Sequence, residues 1–166
     1  MNYEPLRGKY LLLDTSVVIS FGRYRVFYEP FIDTLFKYSV QPLIHDVVRA
    51  ELLAYTTTAS ERETVENLIS TLTRQKSADS LVKFETKHFD YAVQLGQEYK
   101  RSGVSKKIGL PDLLIGSALL AYQKGGQLFL ATENHDDFPS PVFKRNGIET
   151  IDCVNSIHTI GIYLKA

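Results

Sequence analysis

The chain has one cysteine, Cys153, among its 166 residues. No intramolecular disulfide is open to it, nor any zinc site built from several cysteines of one chain. That usage fits a reducing compartment, and a cytoplasmic protein is expected. A surplus of charge is also missing: 19 Lys plus Arg balance 19 Asp plus Glu, for a formal net charge of zero. This argues against a basic coat that holds nucleic acid everywhere, while leaving room for a local basic patch. Long hydrophobic runs are lacking. The opening MNYEPLRGKYLLLD holds no apolar stretch long enough for a signal peptide, and nothing further on suffices to span a bilayer, so no membrane role is expected. The four histidines, His45, His88, His135 and His158, are scattered, and no His or Cys pair has zinc spacing.

What is present is globular composition, 44% apolar and 23% charged. The length suits one domain with a full core, so residues 1–166 are read as a single domain. Tyr10 to Leu13 is a short apolar run that predicts a buried strand. Thr15 and Ser16 then open Val17 to Phe21. Phe27 to Tyr38 carries apolar residues at helical spacing. Pro42 to Ile44 predicts a second strand, with Asp46 as the cap of a helix over Val47 to Tyr55. Ser60 to Gln75 repeats Val65, Leu68, Ile69 and Leu72 at helical spacing. Leu81 to Phe84 reads as a short strand. Phe89 to Arg101 reads as a helix closed by Ser102 and Gly103. Pro111 suits the first residue of a helix that runs to about Lys124 and stops at Gly125 and Gly126. Leu128 to Ala131 and Ile148 to Asp152 are the last strands expected; Val154 to Leu164 has no clear pattern. Strands alternating with helices predict a parallel sheet covered on both faces.

Four separated segments place a carboxylate at or just after a predicted strand end, or early in a helix. They are LLLDTS (Leu11 to Ser16), HDVVRAELL (His45 to Leu53), GLPDLLIGSALL (Gly109 to Leu120) and LATENHDDF (Leu130 to Phe138). A parallel sheet gathers the carboxyl ends of its strands at one edge, so Asp14, Glu51, Asp112 and Asp137 are candidates for a shared cleft. Each also has a plain structural reading. Asp14 suits a helix cap, and Asp112 complements the dipole of a helix it opens. Glu51 suits a solvent-facing helix position, and one of Asp136 and Asp137 a turn. If the four do meet, their mutual repulsion raises their pKa values, and a divalent cation relieves it. Carboxylates and water select Mg²⁺ or Mn²⁺. An acidic cleft holding such a cation suits phosphodiester cleavage.

These motifs resemble those of the PIN-domain ribonucleases, and most closely the VapC-type toxins of toxin–antitoxin pairs, in the same order over nearly the whole chain. LLLDTS looks like the family's opening strand with its first aspartate, which gives Asp14 that role and sets Thr15 and Ser16 at the adjoining hydroxyl positions. RAELLAY is similar to the segment with the family's glutamate, here Glu51. LPDLLIGSALLAY resembles the helix bearing the third acid, Asp112. LATENHDDF resembles a T-x-N-x-x-D-F segment, which puts Thr132 and Asn134 beside the site and makes Asp137 the fourth acid. Some relatives carry an aspartate where this chain has Asn134, so either position is open as the completing ligand. Thr56 to Thr86 matches nothing diagnostic.

The resemblance implies a three-layer α/β/α fold with a central mostly parallel sheet. It implies a Mg²⁺- or Mn²⁺-dependent endoribonuclease with Asp14, Glu51, Asp112 and Asp137 as catalytic and metal residues. Thr15, Ser16, Thr132 and Asn134 are the implied substrate-side residues. It further implies a homodimer and a small antitoxin that inserts a peptide into the acidic cleft. Glu51 is open to two roles, binding a second cation or orienting water. Lys100, Arg101, Lys106 and Lys107, with Arg23 and Arg25, are candidates to hold phosphate. The aromatic cluster Phe21, Tyr24, Phe27, Tyr28 and Phe31 is a candidate partner groove, or core. Three other readings stand beside the toxin: an RNA-processing nuclease without antitoxin, a silent PIN-like binding module, and a receiver-like phosphoacceptor domain. The silent module predicts a broken acidic set, which this chain does not have. The receiver predicts a lysine after a late strand, which LATENHDD lacks.

Overall fold

Leu11, Leu12 and Leu13 are all fully buried. A strand that alternates its side chains between two faces hides three in a row only if both faces are covered. Tyr10–Leu13 is that strand, β1, in a computed structural model describing residues 1–122, 128–140 and 142–166. It is followed by α1 (Thr15–Arg23), α2 (Arg25–Lys37), β2 (Gln41–His45), α3 (Asp46–Ala54), α4 (Ala59–Thr73), β3 (Leu81–Val82), α5 (Lys87–Arg101) and α6 (Leu110–Ala121). Then come β4 (Leu128–Thr132), β5 (Phe143–Cys153) and β6 (Ser156–Lys165). The sheet order is β3-β2-β1-β4-β6-β5. β3, β2, β1 and β4 are parallel, and β6 and β5 close the sheet as an antiparallel hairpin. The fold is three-layer α/β/α with a mostly parallel sheet. α1 packs with α2 and α4, and α5 packs with α6.

Local chemistry sets the element ends. α4 opens on a capping box in which Thr58 and Glu61 satisfy each other's backbone donors. It stops at Thr73, short of the expected Gln75, because Arg74 turns left-handed at φ 53°. α5 ends where expected, with Gly103 at φ +74°. The expected stop of α6 at Gly125 and Gly126 lies outside the described residues. Asp46 does not cap α3. The His45 ring does so, its Nδ1 accepting from the Val47 N–H at 3.1 Å, while Asp46 accepts from the Phe84 N–H at 3.0 Å. The imidazole Nδ1 lies two bonds from Cβ, as the Asn side-chain oxygen does, and so reaches the first turn in the same way, a capability sequence rules rarely credit to histidine. The expected strand at Leu81 to Phe84 shrinks to Leu81–Val82, since Phe84 has turned toward Asp46. The last strands are far longer than Ile148 to Asp152, because β5 and β6 pair along most of their lengths. No helix among the described residues is long and apolar enough to cross a membrane.

Candidate functional site

Leu13 pairs level with Ile44 on one side and Ala131 on the other. The residues that follow, Asp14, His45 and Thr132, therefore leave the sheet along one edge. The chain passes from β1 to β2 on one flank, and β4 returns on the other, so a crevice opens at the switch between β1 and β4.

Asp14 lines that crevice and is only 5% exposed. It caps α1 through Oδ1, which accepts from the Thr15 N–H at 2.8 Å. Its Oδ2 accepts from the Ser16 hydroxyl at 2.9 Å and from the Thr132 hydroxyl at 2.7 Å. The expected capping role of Asp14 is therefore observed, with its second oxygen left to the Ser16 and Thr132 hydroxyls. Glu51, half-buried on α3, accepts from the Thr15 hydroxyl at 2.5 Å. Thr15 therefore links two of the four acids, one through its backbone and one through its side chain.

Asp112 lies in the first turn of α6. Burial, then the charges of Asp137, Asp14 and Glu51 in that order, push its carboxyl up to about 6. The charges of all three other acids thus add to the effect of burial at Asp112. Asp137, buried in the short turn after β4, pairs its Oδ1 with the Lys106 ammonium at 2.6 Å and accepts from the Asn134 amide. The Lys106 pKa is raised chiefly by the hydrogen bond to Asp137, with Asp136 and Asp112 adding to it. Asn134 is exposed and serves Asp137, whereas Asp136 is exposed as a turn residue.

Each of Thr15, Ser16, Thr132 and Asn134 donates to a carboxylate. Their geometry fits positioning of the acids. The His135 ring is hydrogen-bonded to Tyr163 at 2.9 Å and to Thr159 at 3.0 Å, which ties it to β6. Phe21, Tyr28 and Phe31 are core, whereas Phe27 is 37% exposed. A groove of about 480 Å³ opens beside Glu51, lined by Thr15, Ile19, Arg23, Leu52 and Tyr55 among others.

Sequence reasoning missed Glu133. Its carboxylate accepts from Tyr28 at 2.5 Å, Ser20 at 3.1 Å and His158 at 3.1 Å, and its backbone N–H donates to Ser16 at 3.2 Å. It joins α1, α2 and β6 to the segment that bears Thr132 and Asp137. Its position next to Thr132 was visible; its partners, up to 117 residues away, were not.

Among the described residues, no three of the Asp, Glu, His or Cys side chains meet around one point as a ready metal cage. The donor set nevertheless suits a magnesium-like cation, which keeps several waters and uses one or two carboxylates. The raised Asp112 reflects burial first and then the negative charge of Asp137, Asp14 and Glu51; among the described residues Lys106 alone pairs with any of the four.

No protein-family model matches the chain, and no curated protein is similar to it in sequence. Among solved structures, the fold is similar to that of VapBC2 from Rickettsia felis, bound to a DNA fragment from their promoter. The TM-score is 0.53 at 24% identity, covering 68% of this chain and 81% of that one. FitAcB from Neisseria gonorrhoeae gives a TM-score of 0.45 at 20% identity, covering 64% of this chain and 78% of that one. At its level of identity, the likeness to VapBC2 concerns the fold.

Proposed function

We propose that this chain is a metal-dependent endoribonuclease of the PIN-domain type, and the toxin of a toxin–antitoxin pair. The observation that carries the reading is the hydrogen-bonded arrangement at the β1 end, where Thr15 joins Asp14 to Glu51 and Thr132 joins Asp14 to β4; the Asp112 carboxyl, pushed up by burial first and then by the other three acids, agrees with it. Asp14, Asp112 and Asp137 are the residues proposed to hold Mg²⁺ or Mn²⁺, one or two of them directly and the rest through its waters. When bound, that cation would supply a water of lowered pKa and charge stabilisation for the leaving oxygen. Asp14 is fixed by three donors, from Thr15, Ser16 and Thr132, so its orientation is set before anything binds. Glu51, held by Thr15, orients water or a second cation. The RNA enters as a single-stranded segment, whose backbone a shallow cleft can reach.

The toxin half of the reading is supported by the motif resemblance to VapC-type toxins and by the fold likeness to VapBC2. The groove beside Glu51 is the proposed seat of an inhibitory peptide, and a homodimer is the proposed assembly. Cleavage of an RNA panel by wild type and Asp112→Asn, with Mg²⁺, Mn²⁺ or EDTA, tests the core claim. Metal-dependent cleavage is expected, lowered about a hundredfold or more in the variant, the scale of losing one electrostatic group at a reacting centre. Absence of both cleavage and calorimetric metal binding in wild type would sink it.

A further inference from the structure

Cations are scarce around the four carboxylates. Among the described residues, Lys106 alone brings a positive group within ion-pair distance of any of them, 2.6 Å from Asp137 Oδ1. The two partners are unequal in freedom. The Asp137 side chain is 7% exposed and that of Lys106 46%. Asp137 is further held by the Asn134 amide, and its backbone carbonyl accepts from the Tyr99 hydroxyl at 2.8 Å. Lys106 stands on the exposed segment between α5 and α6. The lysine is free to leave, and the carboxylate is not.

Lys106 also has somewhere to go. It lines a groove of about 230 Å³ whose walls include Tyr99, Lys100, Val104, Lys107 and Leu113. Neither Lys100 nor Lys107 makes an ion pair among the described residues. Lysines over an apolar floor suit a phosphodiester chain with its sugars and bases against the wall. A cation and an ammonium cannot share one carboxylate oxygen without strong repulsion.

We propose that Lys106 is the built-in counter-ion of the carboxylate cluster. It holds Asp137 until a divalent cation takes over that charge, then turns into the adjoining groove and binds the substrate's phosphodiester backbone. This rests on the metal-site reading above. It assigns Lys106 two successive partners, and removing the lysine must therefore move two affinities in opposite directions.

The test is Lys106→Met, which keeps the stem and removes the charge. Manganese affinity is measured by calorimetry. Binding of a short single-stranded RNA with cleavage-resistant phosphorothioate linkages is measured by fluorescence anisotropy on Mn²⁺-saturated protein. The variant is expected to bind Mn²⁺ roughly two- to fivefold more tightly, the scale of a half-exposed ion pair. It is expected to bind RNA more weakly, with the slope of log affinity against log salt smaller by about 0.7, one phosphate contact on a single strand. Lys106→Arg should stay near wild type in the RNA measurement. Unchanged or weaker manganese binding overturns the counter-ion role, and unchanged RNA binding overturns the hand-over. If wild type itself binds no Mn²⁺, the metal-site reading fails and takes this inference with it. If wild type binds and cleaves normally while the variant matches it, only this inference falls.

Discussion

At Asp112 a helix start and a charge cluster pull in opposite directions. An acid in the first turn of α6 complements the helix dipole. Yet burial and three neighbouring carboxylates raise its pKa from 3.8 to about 6. Between those values the folded protein binds more protons than the unfolded chain. Stability therefore falls as pH rises through that window and levels off above it. Asp112→Asn removes the penalty. In EDTA at pH 7.5 the variant should be more stable by about 1 kcal/mol, a figure reduced from the full shift because the side chain is half-exposed and screened. Denaturant titrations should show the gain shrinking toward zero below about pH 4, where the wild-type carboxyl is protonated in both states. A variant no more stable than wild type at pH 7.5 would remove the evidence for crowding. The gain should also disappear on adding Mg²⁺, which stabilises wild type alone by binding its folded state.

The start of α3 shows the opposite sign. His45 caps that helix while wholly buried, and its ring lies 5.3 Å from that of His88. Burial first, then the neighbouring His88, lower its pKa from 6.5 to about 4, against a smaller opposing effect of Asp46. Here the unfolded chain binds more protons, so stability present above pH 6.5 is lost as pH falls through about 4. His45→Asn keeps a capping oxygen and removes the titration. Its stability should fall less steeply between pH 6.5 and 4 than that of wild type, whatever its absolute value; an equal slope would show that His45 is not the group responsible. The same element shows what the sequence exposed and what it hid. Helix positions and the buried parallel strands were legible, because each depends on spacing or composition within a dozen residues. The cap was misassigned to Asp46 because residue preference outweighed a histidine's geometry. The long β5–β6 hairpin was missed because its outward face carries Ile148 and Ile157, both exposed, which blurs the alternation that marks a half-buried strand. The pairing of Lys106 with Asp137 and the Glu133 junction depend on contacts between distant segments, which no local pattern encodes.

Over the whole molecule, zero net charge limits how RNA would be attracted under the proposed function. Long-range steering is weak, and affinity must come from a few local lysines such as Lys100, Lys106 and Lys107. With two or three phosphate contacts, log affinity should fall with log salt at a slope of roughly −1.4 to −2.1. A much steeper dependence in a salt titration would mean a wider basic interface than these lysines offer. The order of the strands has a separate effect, on timing. β1 sits between β2, which follows it closely, and β4, which arrives much later; Thr132 closes on Asp14 across 118 residues. While the chain is still leaving the ribosome, Asp14, Glu51 and Asp112 are all made before the strand that completes their crevice. A chain stopped just short of β4 carries three of the four acids and no frame to gather them. The charge cluster is thus among the last things translation assembles, and an interrupted message yields a product without it.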